Sequence, residues 1–248
     1  MKISIITATY NSAQNISSAL NSISSQTYKD LELIVIDGAS SDNTVELISN
    51  NFSGELKIIS EKDKGIYDAL NKGIQLASGD IIGFVHSDDF LASDSILSTI
   101  AEAFNETNAD GVYGDLQYVD KENPEKVIRY WESQQFKPEL LNRGWMPAHP
   151  TLFLKKEVYQ KHGLFDLFYK IAADYDMMLR IFKDPELNFK YVPEVFTKMR
   201  VGGASNRSIA NIKLKSIEDL KALKVNNVQY PYKALFLKNF SKLEQFVN

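Results

Sequence analysis

The chain has 248 residues, 44% hydrophobic and 24% charged, with 28 Lys and Arg against 32 Asp and Glu for a net charge of −4. That length accommodates one large α/β domain, or a domain with an appendage, around a substantial core, and the acidic balance speaks against nucleic-acid binding. The absence of cysteine excludes disulfides, thiolate metal sites and cysteine nucleophiles, and three histidines (His86, His149, His162) are too few for a multi-histidine zinc site.

The first 115 residues alternate strand and helix signals. Residues 3–8 read as a buried strand, and 15–26 as an amphipathic helix with Ile16, Leu20 and Ile23 on one face. A second strand at 31–36 ends at Asp37-Gly38, Asp42 caps a helix running to about residue 50, and 56–59 is a third strand. A helix over 64–77 stops at Gly79, and 81–85 is the fourth strand. This rhythm predicts βαβ units and a mostly parallel sheet covered on both faces. From Gly111 the rhythm breaks. Strands are expected at 112–113, 127–130, 151–154, 189–192 and 195–199, the last two split by Pro193. A short helix or loop is expected at 136–143 and helices at 155–162 and 174–182; residues 202–206 (GGASN) read as a flexible loop. Two further helices, 209–224 and 231–246, form a tail. The N-terminal run turns polar at Asn11, too soon for a signal peptide or a spanning helix, so the expected location is the cytoplasm.

In open parallel sheets, ligands bind beyond the carboxyl ends of the strands. Those ends here carry Thr9-Tyr10-Asn11, then Asp37, then Glu61-Lys62-Asp63, then His86-Ser87-Asp88-Asp89. Each acid has a plain structural explanation, a turn for Asp37 and helix caps for Asp63, Asp88 and Asp89. Their coincidence on one rim favours a site for a hard divalent cation, Mn²⁺ or Mg²⁺, beside a phosphate. No G-x-G-x-x-G follows the first strand and no P-loop is present, so the site is not of the dinucleotide or P-loop kind.

The segments TATYN, VIDGASSDNT, EKDKGIYDALNKGIQLASGD and HSDD, followed by HPTLFLKKEVYQKHGLFD, AADYDMMLRI and GGASN, closely resemble glycosyltransferase family 2 across roughly residues 1–206. The resemblance implies the GT-A fold, a Rossmann-like, mixed but mostly parallel sheet flanked by helices. It also implies sugar transfer from a nucleotide donor, here a UDP-sugar, with inversion at the anomeric carbon. By the same resemblance, Thr9 and Tyr10 beside Asn11 line the nucleobase pocket, and Asp37 binds base or ribose. Gly38 stands where the family often has a second acid. Asp63 contacts the nucleoside, with Gly65 letting the backbone approach. Asp88 and Asp89 match the metal motif, Asp89 as direct ligand and Asp88 facing the donor. His149 opens a motif near the acceptor and phosphates, and Arg200 with the loop at Gly203 closes over the diphosphate. The catalytic base is Asp174, with Asp176 as runner-up. Asp174 also reads as a simple helix cap, and Asp176 can pair with Arg180 one turn on.

The expected organisation is a catalytic domain at 1–206, with a nucleotide-sugar half (1–115) and an acceptor half (116–206), then a helical extension at 207–248. The expected partners are a nucleotide-sugar donor and a glycan or lipid-linked glycan acceptor of cell-surface polysaccharide synthesis. The basic, aromatic segment 230–246 suggests contact with the inner face of the plasma membrane; packing back on the domain or on a second subunit is the alternative. A nucleotidyltransferase would also use a carboxylate-bound cation, but residues 7–19 lack its glycine-rich basic loop. A non-catalytic sugar-nucleotide or glycan-binding module is the remaining reading.

Overall fold

The computed structural model describes residues 1–202 and 209–244. Its first half runs β1 (Ile3–Thr9), α1 (Ile16–Ser24), β2 (Leu31–Asp37), α2 (Thr44–Asn51), β3 (Glu55–Ser60), α3 (Ile66–Leu76), β4 (Ile81–Phe84), β5 (Phe90–Leu91) and α4 (Ile96–Thr107). The second half adds β6 (Gly111–Val119), β7 (Val127–Trp131), 3-10 turns at Pro138–Arg143 and His149–Thr151, then β8 (Phe153–Lys155), α5 (Lys156–His162), α6 (Ala173–Phe182) and β9 (Phe189–Arg200). Two helices close the chain, α7 (Ile209–Val225) and α8 (Pro231–Glu244). Among the described residues nine strands form one sheet, in the order β3-β2-β1-β4-β8-β6-β9-β5, with β7 paired to β6.

Side-chain alternation explains the layers. Along β1, Ile3 and Ile5 pack with α1 and α4, while Ile6 and Ala8 point to the opposite face, against α3 and α6. Strand β2 repeats this, with Leu33 and Val35 on one face and Ile34 and Ile36 on the other. Burial on both faces is why these strands read as unbroken apolar runs. Strands β1 to β4 are parallel and in register, Thr9 opposite Asp37 and Asp37 opposite Ser60, so their carboxyl ends share one rim.

The structure departs from the sequence expectations in four places. The helix that Asp88 and Asp89 are expected to cap starts only at Ile96, because Phe90 and Leu91 first pair antiparallel with Lys198 and Thr197 of β9. Asp88 and Asp89 therefore stand in a strand-to-strand turn and cap no helix. The strand expected at 151–154 begins instead as the His149–Thr151 turn and becomes extended only at Phe153. Pro193 does not split the strand around it. The chain bulges there, Tyr113 pairing with Tyr191 but Asp115 with Val195, and Gly114 admits the bulge because a Cβ would lie 2.6 Å from the Glu194 carbonyl oxygen. Finally, the boundary expected at 206 separates no cores: Ala222, Leu223 and Ala234 are fully buried in the cluster that holds α3 and α6. Residues 203–206 of the expected loop, Gly203 among them, lie outside the described residues, as do Phe246 and the side chains of Lys242 and Leu243.

Candidate active site

The rim after β1, β2 and β3 is built on Asp37. This carboxylate is wholly buried. One oxygen accepts the Ser40 hydroxyl, and the other accepts the Ser40 N–H (2.9 Å) and the Ser60 hydroxyl (2.6 Å). Asp37 thus ties two rim loops together, which corrects the expectation that it stands open to a base or ribose. Asn11 has a similar part: its N–H donates to the Ser40 hydroxyl, and its side-chain oxygen accepts the Ser41 N–H at 2.9 Å. Asn11 and Ala39 both hold positive φ, 47° and 63°, the left-handed conformation that these rim turns require. Thr9 is buried, whereas Tyr10 projects into solvent. The missing second acid also has a steric explanation: a Cβ on Gly38 would lie 2.8 Å from the Asp63 carboxylate and 3.4 Å from the Tyr10 ring. Asp63 accepts the Gly65 N–H (2.8 Å), and Gly65 sits at φ 115° with open space beside it, a conformation suited to glycine.

The turn after β4 carries the paired acids. Asp89 is wholly buried, and its Oδ1 accepts the Arg200 N–H at 3.2 Å. Burial pushes its carboxyl well above the usual range, with the Asp88 charge adding to the effect. Asp88 is half-buried and reaches solvent. Asp89 Oδ2 is buried with no protein partner, an oxygen open to a cation, while Asp88 stands at the solvent edge of the same turn. The Arg200 guanidinium donates to the Asp88 carbonyl (2.8 Å) and the Ser18 hydroxyl (2.9 Å) and lies over the Phe90 ring. It braces the turn from behind. Among the described residues no three His, Asp or Glu groups converge on one point. One or two carboxylates at a phosphate site still suit Mn²⁺ or Mg²⁺, which take their remaining ligands from phosphate oxygens and water.

Opposite this turn stands the N-terminus of α6. Asp174 Oδ1 accepts the Tyr67 hydroxyl (3.2 Å) and the Tyr175 N–H (2.8 Å), and Tyr67 also donates to the Ile171 carbonyl at 2.6 Å. Burial, reinforced by Asp174, pushes the Tyr67 hydroxyl far above its ordinary range, so it remains a donor. From Asp174 contacts run through Tyr67 and Phe165 to His149, which also packs on Phe84 and whose ring centre is 6.1 Å from that of His86, two residues before Asp88. Burial pushes His149 down to about 4 and lowers His86, and the nearby Asp174 opposes both shifts. The His149 ring is therefore neutral near pH 7, and His86 Nδ1 and His149 Nε2 are buried without a protein partner. Asp176, the runner-up base, points elsewhere. It is buried, accepting Arg180 Nε (3.0 Å) and the Asn226 amide (2.9 Å), which corrects its expected catalytic role to one of packing.

Several contributors escaped sequence reasoning. Glu218 of α7 accepts the N–H groups of Lys170 (3.0 Å), Ile171 (2.8 Å) and Ala172 (3.0 Å), the last three residues before α6. Lys238 of α8 is buried against Asp219 at 2.7 Å and lies over the Tyr175 ring; burial lowers its ammonium to about 8, against the pull of Asp219. Tyr118 lies beneath the Arg129 guanidinium, and burial raises its hydroxyl above the ordinary range.

A curled, mostly parallel sheet, an acidic turn on its carboxyl rim and an acidic helix start facing that turn define a glycosyltransferase of the GT-A fold. The description Glycosyl transferase family 2 matches residues 4–163, and the chain belongs to that family. The PGL/p-HBAD biosynthesis glycosyltransferase of Mycobacterium tuberculosis is 31% identical over 219 residues, covering 86% of this chain and 83% of the relative. A Rickettsia prowazekii glycosyltransferase is 29% identical over 225 residues, covering 88% of this chain and 70% of the relative. Among solved structures, S. aureus TarS 1–349 in complex with UDP-GlcNAc superposes with a TM-score of 0.68 at 18% identity, over 89% of this chain and 67% of that one. A longer TarS structure is spanned over only 40% of its length. The mannosyltransferase PcManGT from Pyrobaculum calidifontis, in complex with GDP-Man and Mn²⁺, also gives a TM-score of 0.68 at 18% identity, over 96% and 69% of the two chains.

Proposed function

We propose that this glycosyltransferase moves a sugar, with inversion, from a UDP-sugar to a hydroxyl of a saccharide or lipid-linked saccharide of the cell surface. Asp174 is the general base, and a Mn²⁺ or Mg²⁺ ion is held at Asp89, with Asp88 facing the donor. The observation that carries this reading is the chain of contacts from Asp174 through Tyr67, Phe165 and His149 to His86, two residues before Asp88, which sets the two acids on opposite sides of one site. A nucleophile's proton acceptor and a leaving group's counter-charge need this opposition. Complexes of fold neighbours with UDP-GlcNAc, and with GDP-Man and Mn²⁺, support the donor class and a divalent ion.

In the reaction the acceptor oxygen bonds to the anomeric carbon while its proton passes to the Asp174 carboxylate. The bond from that carbon to the phosphate oxygen breaks, and its electron pair leaves on the nucleoside diphosphate. The ion, when bound, supplies positive charge to the diphosphate. Tyr67 and the Tyr175 N–H, both donating to Asp174 Oδ1, aim the carboxylate so that Oδ2 is the oxygen left to take the proton.

The test is Asp174→Asn, which keeps shape and hydrogen bonding while removing the base. Transfer is expected to fall about 10²- to 10⁴-fold, the usual contribution of a general base. UDP affinity by calorimetry should stay near wild type. Full transfer activity in this variant would overturn the assignment. UDP binding without turnover by wild-type protein, across a panel of donors and acceptors, would leave only a binding module.

A further inference from the structure

Helix α7 packs on α6, and α8 on α7 and the Pro138–Arg143 turn, and among the described residues nothing covers their other side. On α8, Tyr232, Phe236 and Phe240 follow one another at four-residue spacing, each more than half exposed, with the last two rings stacked. On α7, Lys224 donates to the Tyr232 hydroxyl at 2.9 Å, and Lys221, one turn earlier, lies over the exposed ring of Phe168. These contacts join a single stripe of rings and lysines, from the loop that leads into α6 to the end of α8.

Charge selects what covers it. Between residues 209 and 241 the chain has six lysines and two acids. Both acids, Glu218 and Asp219, are turned inward and buried, and one lysine, Lys238, is buried with them. The outer surface of the tail is thus basic on a protein whose net charge is −4. A second copy docked by two-fold symmetry would set these lysines against their own images, which is repulsive. A basic helix face carrying large aromatic rings suits the headgroup zone of an anionic bilayer, where rings enter the interface and lysines meet lipid phosphates. No helix among the described residues is long and apolar enough to cross a membrane, so the contact lies along the surface.

We propose that the α7–α8 stripe, with Phe168, docks this enzyme on an anionic lipid surface. Phe168 stands six residues before Asp174 in sequence, on the loop whose amides Glu218 holds, so the bilayer lies against the element that carries the base. That consequence, a site turned toward an acceptor anchored in the membrane, rests on the reading of Asp174 given above; the docking itself does not.

The experiment is co-sedimentation of the full chain with phosphatidylglycerol-containing vesicles and with phosphatidylcholine vesicles, without donor or acceptor. Binding is expected to the anionic vesicles alone and to weaken as salt is raised. Lys221→Gln with Lys224→Gln should reduce partitioning roughly 30-fold, about fivefold for each lysine. Phe236→Ser with Phe240→Ser should abolish it while circular dichroism and Tm stay at wild-type values. Absence of binding, equal binding to both vesicle types, or binding unchanged in both variants would overturn the proposal. So would a dimer in light scattering that the Phe pair dissolves without any vesicle binding. Since no turnover is read, failure here leaves the transferase assignment standing, and the converse holds.

Discussion

Replacing Glu218 should slow catalysis although the residue touches no substrate. Its buried carboxylate accepts three consecutive N–H groups, and the last of them belongs to Ala172, the N-cap residue of α6. An acceptor in this position does from outside what a capping side chain does from within, and its negative charge suits the positive end of the helix. Hydrogen bonds to a charged group contribute about 1.5–3 kcal/mol each. Glu218→Gln keeps one oxygen but turns an amide N–H₂ against the backbone donors, so at least one of the three bonds is lost, at a cost of about 2–3 kcal/mol. For a domain of this size that corresponds to roughly 4–10 °C in Tm.

The catalytic consequence follows from distance along the chain. Ile171, held by Glu218, accepts the Tyr67 hydroxyl, and Tyr67 also donates to Asp174. Letting this segment shift moves the base and its aiming donor together. A displacement near 1 Å can cost about 10²-fold in rate, so kcat for Glu218→Gln should fall roughly 10- to 100-fold. The donor rim is built by β1 to β4 and does not touch Glu218, so KM for the donor should hold. Steady-state kinetics with the donor varied, run well below the variant's Tm, separates the two parameters. A folded Glu218→Gln protein with wild-type kcat, or one whose defect lies in donor KM, would refute the reasoning.

Two more outcomes follow from the buried carboxylates. Asp89→Asn, whose amide oxygen still accepts the Arg200 N–H, should raise the Mn²⁺ concentration needed for donor hydrolysis roughly tenfold or more, and further than Asp88→Asn does; titrating Mn²⁺ in hydrolysis assays distinguishes them, and the opposite pattern would make Asp88 the ligand. Glu32 is wholly buried, and although burial alone would raise its pKa, Lys57, Ser4 and Ser78 outweigh it and hold the carboxyl at about 2, below its ordinary 4.5. Its contribution to stability is therefore complete above pH 4.5 and is lost as the pH falls toward 2. Urea unfolding across that window should show the decline in wild type and a flatter curve in Glu32→Gln.

What could be read from sequence tracks how each element earns its burial. The parallel strands were legible because both faces are covered, so their composition alone marks them. Strand β5 was not, since two residues carry no periodicity and only pairing with β9 makes them a strand. The acids of the rim were found, but Asp37 was misread in kind. Sequence places it at a strand end, and only packing shows that Ser40 and Ser60 occupy both of its oxygens. Helix α7 hid its contribution for a different reason. Ile212 and Ile217 are exposed while Glu218, Asp219 and Asn226 are buried, so its polarity runs partly opposite to the usual inward apolar face. No hydrophobic pattern marks Glu218 as an interior residue.

That inversion has a structural logic centred on α6. Helix α6 bears Asp174 and packs on the tail helix α7, where apolar contacts alone would allow it to slide. Directional bonds do not. Glu218 holds the amides before the helix, Asn226 donates to Asp176, and Lys238 sits between Asp219 and the Tyr175 ring. Asp174, Tyr175 and Asp176 are consecutive, so the outer side of the first turn of α6 is gripped by the tail while Asp174 looks into the site. The sequence boundary expected at residue 206 therefore cuts through the support of the base. The buried Lys238–Asp219 pair, a weak source of stability in itself, is explained as an orienting contact for this one turn.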